Sequence, residues 1–176
     1  QSVELANKDP MTGVNNRLAY DKNEEFINSS IINGSVNPFA VVLFDINGLK
    51  YANDTYGHET GDELICNASK MICEHFKHSR VYRIGGDEFS AILIGNDYFK
   101  RDNLIANFRL KAKENSKING FRYKIVPDTI LGIYKVYAST TENLSGEIEL
   151  YINGKLIAKI QEIHEFYDDV NSVVSS

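Results

Sequence analysis

An α/β domain with helices on both sides of a sheet is the fold the sequence predicts, from three observations. Phe39 to Phe44, FAVVLF, is a continuous apolar run of strand length, and a strand without alternation is one buried on both faces. Leu64, Ile65, Ala68, Met71, Ile72, His75 and Phe76 recur at helical spacing and define a strong amphipathic helix. Two short runs, VYRI and FSAILI, flank Gly85-Gly86-Asp87-Glu88. Glycine tolerates the positive φ of a tight turn, so a β-hairpin is expected over Val81 to Ile94.

Composition narrows the class. The chain has 176 residues, enough to bury roughly 70% of its unfolded surface in one domain without disulfides or a structural metal. A net charge of -5 without a basic stripe argues against nucleic acid as a partner, since that binding draws on clustered Lys and Arg. No apolar run reaches the roughly 20 residues that span a bilayer, so no membrane contact is expected of this domain. Cys66 and Cys73 are the two cysteines. On one helix they stand roughly 10 Å apart, too far to bond. Two buried thiols fit a reducing, cytoplasmic compartment, even if a parent protein is membrane-anchored.

The remaining elements follow in order. The chain opens on Gln1 rather than Met, and residues 1–8 read as the end of an upstream linker helix leading to a sensor or other domains. Residues 9–176 read as a single domain. Leu18, Ala19, Phe26, Ile27 and Ile31 give a helical pattern between Pro10 and Pro38, ending in the turn-rich INGSVNP. Gly61-Asp62 sits where the amphipathic helix is expected to start. Tyr98 to Lys117 reads as a polar-faced helix, and Phe121 to Val126 and Thr129 to Tyr137 as strands. From about residue 140 the two periods compete. EIELYI and KLIAKI flank Asn153-Gly154, a hairpin signal, yet Leu156, Ile160, Ile163, Tyr167 and Val170 sit at helical spacing. The reading adopted is a turn at Asn153-Gly154 and a helix from about Lys155 to Asp169.

The chemistry concentrates near the first strand. Asp45 follows FAVVLF directly, at the carboxyl edge of a sheet, where open α/β folds bind ligands. If the hairpin is its neighbour, Asp45, Asp87 and Glu88 converge as a hard oxygen set of the kind Mg²⁺ accepts while substrate phosphates supply its other ligands. Alone, each of these acids is an ordinary turn or strand-end carboxylate. The span FDINGLKYANDTYGHETGDEL adds a backbone loop at Ile46 to Leu49, an ammonium at Lys50, an amide at Asn53 and a carboxylate at Asp62. Loop N–H groups and a Lys suit phosphates. A carboxylate can accept from the ring N–H and exocyclic amine of guanine, with the Asn amide beside it.

Here the chain resembles the GGDEF family of diguanylate cyclases. RIGGDEF at Arg83 to Phe89 carries the signature, the Phe44 to Leu64 span is similar to FDIDxFKxxNDxxGHxxGDxxL, and DPMTGVNNR at Asp9 to Arg17 to DxLTGLxNR. The resemblance implies a palm-like fold, a central mostly antiparallel sheet flanked by helices, and condensation of two GTP into cyclic di-GMP across a homodimer of half-sites. It implies Mg²⁺, or Mn²⁺ in its place, held by Asp45, Asp87, Glu88 and the Ile46 carbonyl. Asp87 holds the position linked to activation of the ribose 3′-hydroxyl. Asn47, Gly48, Leu49 and Lys50 would hold phosphates, Asn53 and Asp62 guanine, with Gly85 and Gly86 in the substrate site. His58 belongs to the loop architecture, and Asp9 and Arg17 are expected to pair.

Departures from the pattern shape the expectations. Asn47 replaces a second Asp of the family stretch. The Arg-x-x-Asp product-inhibition motif would need the positions filled by Phe76 and Ser79, so feedback there is not expected. The family's C-terminal Lys-bearing helix is echoed only by Leu150-Tyr151, with Gly154 at the Lys position. Lys155 and Lys159 keep the four-residue separation of the family's phosphate clamp. They are either its substitute or, more plainly, solvated lysines on a surface helix, and residues 140–176 are divergent. The alternative to an active cyclase is a degenerate GTP-binding regulatory module; a pure scaffold leaves the acidic cluster unexplained.

Overall fold

The computed structural model describes residues 6–35, 37–117, 131–139, 148–152 and 155–160, with side chains within residues 6–112. In chain order the elements are α1 (Arg17–Ile32), β1 (Phe39–Ile46), α2 (Leu49–Tyr56), α3 (His58–His75), β2 (Arg80–Arg83), β3 (Glu88–Ile94), α4 (Gly95–Phe99), α5 (Arg101–Lys117), β4 (Leu131–Ser139), β5 (Ile148–Ile152) and β6 (Lys155–Ile160). Among the described residues six strands form one sheet in the order β2-β3-β1-β4-β5-β6, antiparallel at every pairing. This is the mixed helix and antiparallel-sheet palm-like architecture.

The FAVVLF run is central for a physical reason: every residue from Phe39 to Phe44 is buried, as a strand covered on both faces must be. Ala40, Val42, Phe44 and Ile46 share one face with Phe89, Ala91 and Leu93 of β3. They pack against Leu64, Ala68 and Ile72 of α3 and against Ile105, Phe108 and Ala112 of α5. Phe44, Phe76 and Phe108 meet with ring centroids 5.2 to 5.5 Å apart. On the opposite face the register carries Leu43, Ser90 and Tyr82 across three strands. There the Tyr20 ring of α1 packs edge-on against Tyr82 at 5.5 Å. The buried tyrosines are therefore packing residues, and α1 is held by them.

Several expectations are corrected. Tyr20 and Ile27 are the buried anchors of α1, whereas Leu18 and Phe26 of the predicted face are exposed. The expected helix over Tyr98 to Lys117 breaks at Lys100 into α4 and α5. The amphipathic helix begins at His58, a turn before Gly61-Asp62, and a separate helix α2 precedes it. Cys66 is exposed and Cys73 half-buried, both free thiols, so neither is buried as expected. Lys155 opens a strand, not a helix: Ile152 pairs with Lys155 and Ile148 with Ile160. Backbone pairing with β5, in the register a two-residue connection dictates, prevails over the helical spacing of its leucine and isoleucines. The strand expected at Phe121 to Val126 lies outside the described residues, as do residues 161–169 of the expected helix and residues 1–5 of the upstream one.

Candidate active site

Strand pairing assembles the acidic cluster. Asp45 stands directly opposite Glu88 in the β1–β3 register, and the Ile46 N–H donates to the Asp87 carbonyl at 2.9 Å. The hairpin closes on itself, with the Ile84 and Gly85 N–H groups donating to the Glu88 carbonyl at 3.0 and 3.3 Å. The Asp45 carboxylate and those of Asp87 and Glu88, some 42 positions later, thus share one end of the central strands. Burial, then the charges of Asp87 and Glu88, push the Asp45 carboxyl up to about 6, against a smaller opposing contribution from the Ile46 N–H. Asp45 Oδ1 is buried without a hydrogen-bond partner.

An orphaned carboxylate oxygen among like charges is a cation's donor set. Among the described residues no three His, Cys, Asp or Glu side chains close around one point as a ready cage. Mg²⁺ needs none, because it is commonly held by one or two carboxylates with substrate phosphates and water completing the shell. The residues fit the ion.

Beyond β1 the chain turns through Gly48, whose φ of 75° is left-handed and suits glycine, into the N-terminus of α2. The N-cap Gly48 makes no side-chain cap hydrogen bond, and an uncapped helix N-terminus is a favourable place for an anion. Lys50 lies in that turn and pairs with Asp54 at 2.8 Å on the exposed surface. This hydrogen bond and charge raise the Lys50 pKa. Asn53 is half-buried on α2, and its amide lies over the backbone of Gly61 on α3, beside the exposed Asp62. The Asn53 amide thus lies against Gly61, the residue that precedes Asp62 on α3. Lys155 and Lys159 stand apart on β6, separated from β1 by β4 and β5, three strand spacings or about 14 Å across the sheet.

Two features escaped the sequence reading. Asp9 pairs with Arg83, not with Arg17. Arg83 Nη1 lies 3.3 Å from both Asp9 oxygens and Nη2 donates to the Gly86 carbonyl at 2.9 Å. Arg17 instead pairs with Asp21 at 2.8 Å and reaches the Ile84 carbonyl. The Thr12 N–H and hydroxyl donate to Asp9 at 2.9 and 2.7 Å. Burial opposes ionisation of Asp9, but these hydrogen bonds and the Arg83 guanidinium outweigh it and lower its pKa. An N-terminal turn is thereby clamped to the signature hairpin. The second missed feature is Gly61, taken as a helix start and found inside α3 beneath Asn53.

The positions of the family's product-inhibition motif serve other ends. The Phe76 side chain is fully buried among aromatic neighbours, and the Ser79 hydroxyl donates to Asp97.

A family model described as "Diguanylate cyclase, GGDEF domain" matches residues 6–145. The chain is similar to diguanylate cyclase DgcN of Escherichia coli, 38% identical over 96 residues, 53% of this chain and 22% of that protein. It is also similar to probable diguanylate cyclase DgcT of Escherichia coli, 29% identical over 148 residues, 84% of this chain and 31% of that protein. The chain therefore spans less than a third of these curated relatives. In fold it is similar to the coiled coil and GGDEF domain of DgcB from Caulobacter crescentus, solved with c-di-GMP. The TM-score is 0.65 at 19% identity, covering 98% of this chain and 80% of that one. The FimX GGDEF domain of Pseudomonas aeruginosa gives a TM-score of 0.63 at 19% identity, with 78% and 82% covered.

Proposed function

Because the chain belongs to the GGDEF family, we propose that it is a diguanylate cyclase domain, condensing two GTP into cyclic di-GMP with release of two pyrophosphates. The observation that carries the proposal is the pairing of Asp45 opposite Glu88, with Ile46 tied to Asp87. Asp45, Asp87, Glu88 and the Ile46 carbonyl would hold Mg²⁺, or Mn²⁺ in its place. An ion bound by these residues would help activate a ribose 3′-hydroxyl and stabilise the departing pyrophosphate. The protein's own part is binding and alignment. The Asn47 to Leu49 amides and Lys50 take phosphates, and Gly85 and Gly86 let the backbone approach the nucleotide. Asn53 and Asp62 read guanine, and Asp87 faces the 3′-hydroxyl whose proton must leave.

Each domain presents one nucleotide, so the reacting groups meet across a homodimer. The proposal carries with it a cytoplasmic setting, where GTP and free thiols coexist, and control by other domains of a longer protein. No helix among the described residues is long and apolar enough to cross a membrane.

Incubation of concentrated protein with GTP and Mg²⁺, followed by chromatography, tests the reading. Cyclic di-GMP and pyrophosphate in a 1:2 ratio, by the stoichiometry proposed, support it; unreacted GTP, or GDP, counts against it. A second reading is a GTP-binding regulatory module without turnover. It is favoured by the position of Lys155 and Lys159 on a strand, β6, rather than on a helix of the kind the family's phosphate clamp uses. Tight GTP binding without product would select it.

A further inference from the structure

Gly61 lies buried within α3, a helix that runs three residues ahead of it to His58 and on to His75. A glycine inside a helix is less favourable than alanine by about 1 kcal/mol, so its presence there asks for a packing reason. The reason is Asn53: a Cβ placed on Gly61 would overlap Asn53 Oδ1 and lie 2.7 Å from its Cγ and 3.3 Å from its Nδ2. The chain from α2 to α3 is drawn tight around this contact. Gly57, with φ 93°, joins the two helices, and its N–H donates to the Asn53 carbonyl at 2.9 Å.

We propose that Gly61 is a positioning residue for nucleotide selectivity, its bare Cα forming the seat that fixes the Asn53 amide beside Asp62. The inference rests on the guanine-reading role given to Asn53 and Asp62 above. The overlap at Gly61 is with the end of a short side chain rather than with backbone, so alanine displaces the Asn53 amide and leaves the helices in place. Asp62 keeps its carboxylate but loses the amide held at a fixed place next to it. Discrimination between bases built on hydrogen bonds is sensitive to such a loss, because each donor or acceptor left unpaired is felt in full.

The test is a double-mutant cycle. GTP and ATP binding in Mg²⁺ buffer are measured by calorimetry for the whole chain and for Gly61→Ala, Asn53→Ala and the double variant. The Asn53 side-chain amide resonances are followed by NMR in the first two proteins. Gly61→Ala and Asn53→Ala are each expected to lower the GTP-over-ATP preference about tenfold, and the double variant to lower it no further. Gly61→Ala should also shift the Asn53 amide resonances without nucleotide. An unchanged preference in Gly61→Ala, or an equal further drop in the Asn53→Ala background, overturns the proposal. If Asn53→Ala alone keeps the preference, the guanine reading falls and takes this selectivity role with it. Should Gly61→Ala not fold, the double variant decides: folding restored by removing Asn53 supports the seat, and a second unfolded protein refutes it.

Discussion

Asp45 and Glu88 are Cα partners across the antiparallel β1–β3 pair, so two carboxylates 43 positions apart in sequence are locked side by side by backbone register. Their backbones cannot separate without breaking the centre of the sheet. Burial and the charge of Asp87 raise the Asp45 carboxyl to about 6, and the charge of Glu88 held opposite by the register adds to them.

Asp45→Asn is expected to stabilise the metal-free protein. A carboxyl whose folded pKa lies above its unfolded value of about 3.9 disfavours folding once ionised, so wild-type stability should fall as pH rises through about 6. At pH 8 the variant should be the more stable by about 1 kcal/mol, after allowing for solvent screening of a half-buried group. The two proteins should converge below about pH 4. Thermal unfolding in chelator across that range checks this, and addition of Mg²⁺ should stabilise wild type alone.

Asp9 predicts the opposite sign. Its lowered pKa means that its ion pair with Arg83 contributes stability above the unfolded carboxyl value. That contribution is lost as pH falls through the lower folded value. Asp9→Asn should be less stable than wild type at pH 7 and approach it in acid. Arg83→Met, which strands a largely buried Asp9, should cost about 1 to 3 kcal/mol by chemical denaturation. It should also loosen the Gly86 carbonyl it holds, seen as faster amide exchange in the hairpin.

Phe76→Ala should cost about 3 to 5 kcal/mol, the price of a cavity between Phe44 and Phe108. Cyclic di-GMP added to wild type should leave the amide resonances of Phe76 and Ser79 unmoved, since the first is core and the second is bonded to Asp97. Shifts centred on those residues would show that a product site forms there by another route.

Much of this was legible because it is local. FAVVLF is apolar without alternation, and Gly85-Gly86 marks the turn between VYRI and FSAILI, so β1, β2 and β3 follow from neighbouring residues. The meeting of Asp45 with Asp87 and Glu88, by contrast, is conditional on the hairpin pairing with β1, which the β1–β3 register supplies. Partnerships across long sequence separations were not legible. Asp9 reaches Arg83 rather than Arg17 because β2 brings the distant arginine to the turn held by Thr12. Gly61 was misplaced because the need for a bare Cα is a fact about Asn53 on another helix. Lys155 was put on a helix because KLIAKI satisfies either period in isolation, and only the pairing of β6 with β5 decides between them.

The most direct measurement of the two-half-site cyclase is the rate of cyclic di-GMP formation per domain across a wide dilution series, with Asp45→Ala as the inactive control. If the reacting groups belong to nucleotides on different copies, dilution dissociates the pair, and the rate per domain should climb with protein concentration towards a plateau. A parallel coiled coil fused upstream of Gln1 should raise the low-concentration rate by increasing effective concentration. A rate that stays constant over the series while light scattering reports monomer, or turnover that survives in Asp45→Ala, would contradict it.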